Sequence, residues 1–148
     1  MHIDIRILLP IVLVAAGSPA LAGLGGPLSN GLPQAGPPAV EQVAPAAGGA
    51  YTHVQRQLDS GTVVHEFAGA DGKVFAVSWN GPFLPDLREL LGPSFAALQD
   101  SAARGRTSAL SISRPDLVLV SAGHMRGFEG RAWLPPKLPA GFDPRQLP

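Results

Sequence analysis

The stretch GTVVHEFAGADGKVFAVSW, residues 61–79, decides the fold of this chain. It holds two runs rich in β-branched and aromatic residues, 62–67 and 73–79, and such runs are typical of β-strands. The segment GADG between them, residues 69–72, carries the Asp-Gly pair that favours a hairpin turn. Because a connection this short joins antiparallel neighbours, residues 62–79 predict a β-hairpin.

A third strand precedes this hairpin. Residues 52–58 have strand-like composition, and the turn segment DSG at 59–61 follows them. Short connections favour neighbouring strands, so the chain predicts a three-stranded meander. Alternation along a strand places two sets of side chains on single faces, namely Phe75, Val77 and Trp79 in the third strand, and Val63, His65 and Phe67 in the second.

A helix is predicted after the meander. Pro85 stands at its first position with Asp86 beside it, and both residues are favoured there. Apolar residues then recur at helical spacing, namely Leu87, Leu90, Leu91, Phe95, Leu98 and Ala102. Pro93 interrupts this stripe, because proline removes a hydrogen bond inside a helix. The pattern indicates either one kinked helix or two consecutive helices that face the same core.

Three further strand candidates complete the domain. Residues 108–113 give a weak signal, residues 116–122 a strong apolar one typical of a central strand, and residues 128–134 the last one. The predicted fold is therefore one α+β domain, residues 51–138. It has a mainly antiparallel sheet of about five or six strands, with one kinked or two consecutive amphipathic helices packed on one face.

The N-terminal residues 1–22 read as a signal peptide. Arg6 precedes an apolar run at 7–16, and Ala20 and Ala22 occupy the positions that signal peptidase reads. We expect cleavage near Ala22–Gly23 and a periplasmic or secreted protein. The apolar run has about half of the roughly 20 residues that a membrane span needs. Uncleaved anchoring is therefore a disfavoured alternative, and we expect no stable membrane insertion after cleavage.

Two segments flank the predicted domain. Residues 23–50 are dominated by Gly, Pro and Ala and predict a disordered linker, either a functional tether or filler. Residues 139–148 are rich in proline and predict an irregular tail.

Composition excludes several classes of function. The chain has no cysteine, so disulfides, thiolate metal sites and thiol catalysis are excluded. Eleven basic and eleven acidic residues balance, which gives no reason to expect nucleic acid as a partner. His53, His65 and His124 match no metal-ligand spacing, so neither a metal nor another cofactor is expected.

Residues 123–133 hold the densest group of functional side chains. His124, Arg126, Arg131 and Trp133 lie within this glycine-spaced segment. In one interpretation they bind an anionic or sugar-like ligand, with arginine as the donor and tryptophan as a stacking surface. In the other, the segment is a β-hairpin whose tryptophan is core and whose charges pair across strands.

Four segments together resemble a known family. They are GTVVHEF (61–67), DGKVFAVSWNGP (71–82), PDLRELLG (85–92), and GHMR (123–126) running on to GRAWLP (130–135). In this order, after a signal peptide and a linker, they are similar to a family of exported proteobacterial proteins catalogued as domain of unknown function 2844. The resemblance covers residues 51–141. It implies a single exported domain and assigns no activity, cofactor or catalytic residue.

The sequence favours a non-enzymatic binding or interaction module of the periplasm. Its partner would be an unknown envelope protein or a small ligand, held at exposed strand edges or at the 124–133 hairpin. One alternative is a passive structural component of the envelope. A second is a small envelope hydrolase that uses His124 beside a carboxylate, the candidates being Glu66, Asp116 and Glu129.

Overall fold

A seven-stranded antiparallel sheet forms the centre of the protein. The computed structural model describes residues 22–43, 48–102 and 109–148, and the predicted signal peptide, apart from Ala22, lies outside them. Spatial order in the sheet is β1-β2-β3-β4-β7-β6-β5. The strands are β1 (Ala39–Val43), β2 (Tyr51–Gln57), β3 (Val63–Ala68), β4 (Val74–Gly81), β5 (Ala109–Ser113), β6 (Val118–His124) and β7 (Gly127–Trp133).

Among the described residues that lie between strands, helical structure is found at residues 87–102. It consists of α1 (Leu87–Leu91), a 3-10 turn (Gly92–Ser94) and α2 (Phe95–Ala102). The Asp86 side chain caps α1 by accepting hydrogen bonds from the backbone N–H groups of Arg88 and Glu89. Gly92, with φ of 47°, and the proline after it end α1.

The predicted fold class is wrong in its strand count and in its helices. The sheet has seven strands rather than five or six, and one short helical segment replaces the expected amphipathic helices. The additional strand is β1, which lies in the Gly/Pro/Ala-rich stretch and has no apolar periodicity. Its five residues are held by pairing with β2 from Val43↔Tyr51 to Ala39↔Gln55. The strong strand, β6, is next to an edge rather than central.

One face of the sheet, which we call the helix face, carries the larger core. Its sheet residues include Val64, Val77, Trp79, Leu119 and Ala132, and Leu90, Leu91 and Leu98 pack on them. The opposite face, which we call the tail face, carries Phe67, Phe75 and Ala76, and Leu147 of the C-terminal segment packs on them.

A β-bulge in the pairing of β3 with β4 changes the face to which the side chains of β4 project. The register shifts between Phe67 and Ala68, so that Phe67 pairs with Ala76 and Ala68 with Val74. The residue between these partners, Phe75, therefore packs with Phe67 on the tail face. The prediction that Phe75 shares a face with Val77 and Trp79 is wrong for this reason.

The segment before β1 is part of the folded protein. Leu24 and Leu32 are buried in the core of the helix face. The Leu24 N–H donates to the Leu90 carbonyl, and the fully buried Glu66 accepts a hydrogen bond from the Ser29 N–H at 2.9 Å. Much of the range predicted as a disordered linker is therefore ordered, because two leucines and a buried carboxylate anchor it.

The C-terminal segment covers part of the tail face. It contains two 3-10 turns, Pro135–Lys137 and Pro144–Gln146. Between them Phe142 makes edge-on contacts with the rings of Tyr51, Phe67 and Phe75. Among the described residues, no helix combines the length and the apolar character needed to cross a membrane.

Candidate binding cleft on the tail face

A row of polar side chains crosses the centre of the tail face. His65 of β3 pairs with Ser78 of β4, and Ser78 pairs with Arg131 of β7. Directly paired residues of antiparallel strands project to the same face, so these three side chains are neighbours. Ser78 is fully buried, and its Oγ has no hydrogen-bond partner within residues 22–43, 48–102 and 109–148.

An open cleft of about 190 Å³ lies beside this row. Its wall on β7 carries Glu129 and Arg131, which stand two residues apart and therefore on one face. The cleft thus presents one negative and one positive group. Its other lining residues are Trp79, Asn80, Val120, Ala122, Gly130, Leu147 and Pro148.

Arg131 connects the cleft to the C-terminal segment. Its Nη1 donates a hydrogen bond of 3.2 Å to the backbone carbonyl of Arg145. Two residues later the Leu147 side chain is buried in the tail-face core. The last residues of the chain therefore form one side of the cleft.

Trp133 lies two residues further along β7 than Arg131, on the same face. It pairs with Ala76 of β4 and with Val118 of β6. The ring is half-buried and packs against the tail-face core. The structure therefore brings Arg131 and Trp133 onto the same face, with Trp133 beside the aromatic cluster.

His124 and Arg126 lie apart from this cleft. Both are exposed at the β6–β7 hairpin, where His124 is the last residue of β6 and Arg126 has a positive φ of 67°. His124 contributes to another open cleft, of about 220 Å³, with Asn80, Gly127, Phe128 and Glu129. Glu129 is thus shared between the two clefts.

Of the three carboxylates considered for His124, Glu129 lines the same cleft as His124, whereas Glu66 and Asp116 lie elsewhere in the fold. No hydrogen bond or ion pair joins His124 to Glu129 within the described part of the chain. Glu66 is buried on the helix face with Arg56. Asp116 lies in the β5–β6 turn, at the opposite end of β6 from His124.

The sequence did not indicate a pair of histidines on the tail face. His53 Nε2 and His65 Nδ1 are 2.9 Å apart, and the His53 ring stacks on Phe67 with centroids 4.6 Å apart. Burial, together with the neighbouring His53, lowers the pKa of His65 to about 4. The register of β2 against β3 creates this pair, and alternation within one strand cannot reveal it.

The three histidines considered as metal ligands do not converge. Strand pairing from β2 to β6 runs from His53 through Phe67, Ala76 and Trp133 to Val118, so Val118 is the residue of β6 that is level with His53. His124 lies six residues further along β6, away from His53. In the described residues there is no group of three or more His, Asp or Glu side chains that could hold a metal ion.

A family model described as "Protein of unknown function (DUF2844)" matches residues 20–147. No curated protein and no solved structure matches the chain.

Proposed function

The chain belongs to the family described as "Protein of unknown function (DUF2844)", and from that premise we propose that it is a non-enzymatic binding module. We propose further that it is a proteobacterial protein exported to the periplasm or beyond. Its partner is a small ligand or an envelope protein, held at the cleft between β4, β7, β6 and the C-terminal residues.

The composition of the cleft is the observation that carries this proposal. Glu129, Arg131 and Asn80 place an anion, a cation and an amide beside the apolar side chains of Val120 and Ala122. Several polar groups that converge on one hollow together with apolar side chains are typical of binding sites. The volume of about 190 Å³ is smaller than the roughly 300–1,000 Å³ of drug-sized pockets, and it suits a small molecule or one or two side chains of a partner.

The region around His124 supports binding better than catalysis. A general base must lie within hydrogen-bond reach of its partners, and His124 is exposed at a hairpin end with no bonded carboxylate among the described residues. Glu66, the most deeply buried candidate carboxylate, accepts hydrogen bonds from Arg56 and from the Ser29 N–H.

Export is supported by the sequence alone. Residues 1–22 have a basic start, an apolar run and small residues before Gly23.

The balanced charge of eleven basic and eleven acidic residues argues against nucleic acid as the partner.

Native mass spectrometry of the protein, purified from its own cell envelope, tests both parts of this proposal. We expect a chain that begins at Gly23 and carries a reproducible added mass. Arg131→Ala should lose that mass, and Arg126→Ala should keep it, because Arg126 lies at the hairpin outside the cleft. A bare monomer in every preparation would favour the passive structural role instead.

A further inference from the structure

Two side chains of opposite charge face the cleft beside β7. Glu129 and Arg131 both line it, and they lie two residues apart on one face of the strand. Among the residues that the structure describes, neither of them forms an ion pair. The cleft therefore presents one negative and one positive group that a ligand can neutralise.

We propose that this cleft binds a small zwitterion of the α-amino acid class, with its ammonium group at Glu129 and its carboxylate at Arg131. This inference rests on the proposed binding function and deepens it. A ligand that is only an anion would bring its charge towards Glu129, and one that is only a cation towards Arg131, because both groups line one cleft of about 190 Å³. A zwitterion meets an opposite charge at each end.

The spacing of the two charges suits an α-amino acid. Cα atoms two residues apart along a strand are about 6.6 Å apart. An α-amino acid carries its ammonium and its carboxylate on one carbon, and charge-assisted hydrogen bonds add about 2.8 Å at each end. A ligand of this size bridges two long side chains that start so close together.

Hydrogen-bonding groups are present at both ends of the site. Arg131 Nη1 donates to the Arg145 carbonyl at 3.2 Å, and the guanidinium has further N–H groups to donate to a ligand carboxylate. At the other end, Asn80 pairs with Glu129 across β4 and β7 and lines the same cleft. Its amide oxygen can accept a second hydrogen bond from an ammonium group.

Apolar side chains of β6 indicate which amino acids fit. Val120 pairs with Arg131 and Ala122 pairs with Glu129, so both lie beside the two charges on the tail face. Both line the cleft, and Val120 is 39% exposed. An apolar ligand side chain that covers Val120 removes this surface from water. The ligand class is therefore that of amino acids with an apolar side chain.

The test is an NMR titration of the native chain with L-valine and L-leucine, followed at the backbone amides of Ala122 and Gly130. N-acetyl-L-leucine lacks the ammonium charge, and L-leucinamide lacks the carboxylate. Each analogue should bind at least about tenfold more weakly than L-leucine, because each loses a charge-assisted hydrogen bond. L-leucyl-L-leucine should also bind more weakly, since its two charges are further apart.

Two variants assign the two ends of the ligand. Glu129→Gln should weaken binding of L-leucine at least about tenfold without weakening that of N-acetyl-L-leucine, which has no ammonium. Arg131→Gln should weaken L-leucine similarly without weakening L-leucinamide. The matched control is Arg126→Gln, which should bind as the native chain does, because Arg126 lies at the hairpin outside the cleft. Since Glu129 is exposed, its variant carries the test even where Arg131→Gln does not fold.

The proposal is overturned if neither L-valine nor L-leucine shifts the cleft amides, or if the two analogues bind as tightly as L-leucine. An added mass of another chemistry that depends on Arg131 in native mass spectrometry would then leave the binding function standing without the amino acid. Tighter binding of the dipeptide than of L-leucine would likewise overturn the assignment to a single amino acid.

Discussion

Arg56 and Glu66 form a buried ion pair on adjacent strands of the sheet. Arg56 Nε lies 2.9 Å from a Glu66 carboxylate oxygen, and Glu66 is fully buried. The second carboxylate oxygen accepts from the Ser29 N–H, and Arg56 Nη1 also donates to Gln34. One carboxylate therefore joins β2, β3 and the segment that precedes β1.

Replacing Glu66 with alanine should destabilise the protein by about 3–5 kcal/mol, because the change leaves the Arg56 guanidinium buried without its partner. Urea denaturation measures this loss. The control is Asp59→Ala, an exposed acidic residue, whose effect should stay within about 0.5 kcal/mol. Equal effects of the two substitutions would show that the ion pair adds nothing to stability.

The lowered pKa of His65 predicts how the free energy of unfolding depends on pH. Its pKa is lowered from 6.5 to about 4 in the folded protein, first by burial and second by the charge of His53. The unfolded chain therefore takes up a proton near pH 6.5, while the folded protein resists protonation until about pH 4. Because the unfolded state binds more protons in this window, the free energy of unfolding decreases as the pH falls from 6.5 to 4.

Urea midpoints at pH 5 and pH 7.5 test this dependence. We expect the difference between the two midpoints to shrink in His65→Gln, which cannot titrate in this range. His124→Gln removes an exposed histidine instead and should preserve the native difference. A native difference that persists in His65→Gln would contradict the prediction. All three proteins keep Glu41, because its carboxylate lies 3.7 Å from His53 and this contact must be the same in each.

The meander could be predicted because its signals are local. The turns at 59–61 and 69–72 and the alternation on either side of them lie within one stretch, and β2, β3 and β4 pair as neighbours. Strand β1 could not be predicted in the same way. Its residues are exposed or half-buried, and pairing with β2 holds them in place. The bulge at Phe75 likewise depends on the partner strand.

The candidate site was predictable only in part. The composition of residues 123–133 drew attention to Arg131 and Trp133, which lie on the tail face with the cleft. The same composition selected His124 and Arg126, which lie at the hairpin. Ser78 and His65 were not selected, because they join Arg131 only through the insertion of β7 beside β4. That pairing connects strands about 50 residues apart, and no local pattern records it.

Gly130 should be among the least replaceable glycines of the sheet. It pairs with Trp79 across β4 and β7, and a Cβ at this position would overlap the indole ring. Trp79 is buried in the core of the helix face, so its ring can move only if its packed neighbours also move. Gly130→Ala should therefore cost about 1–3 kcal/mol or more through overpacking. The matched control is Gly36→Ala, since a Cβ there meets no atom within 4 Å. Thermal unfolding of both variants measures the effect, and a Gly130→Ala midpoint as high as that of Gly36→Ala would disprove the packing of Trp79 over Gly130.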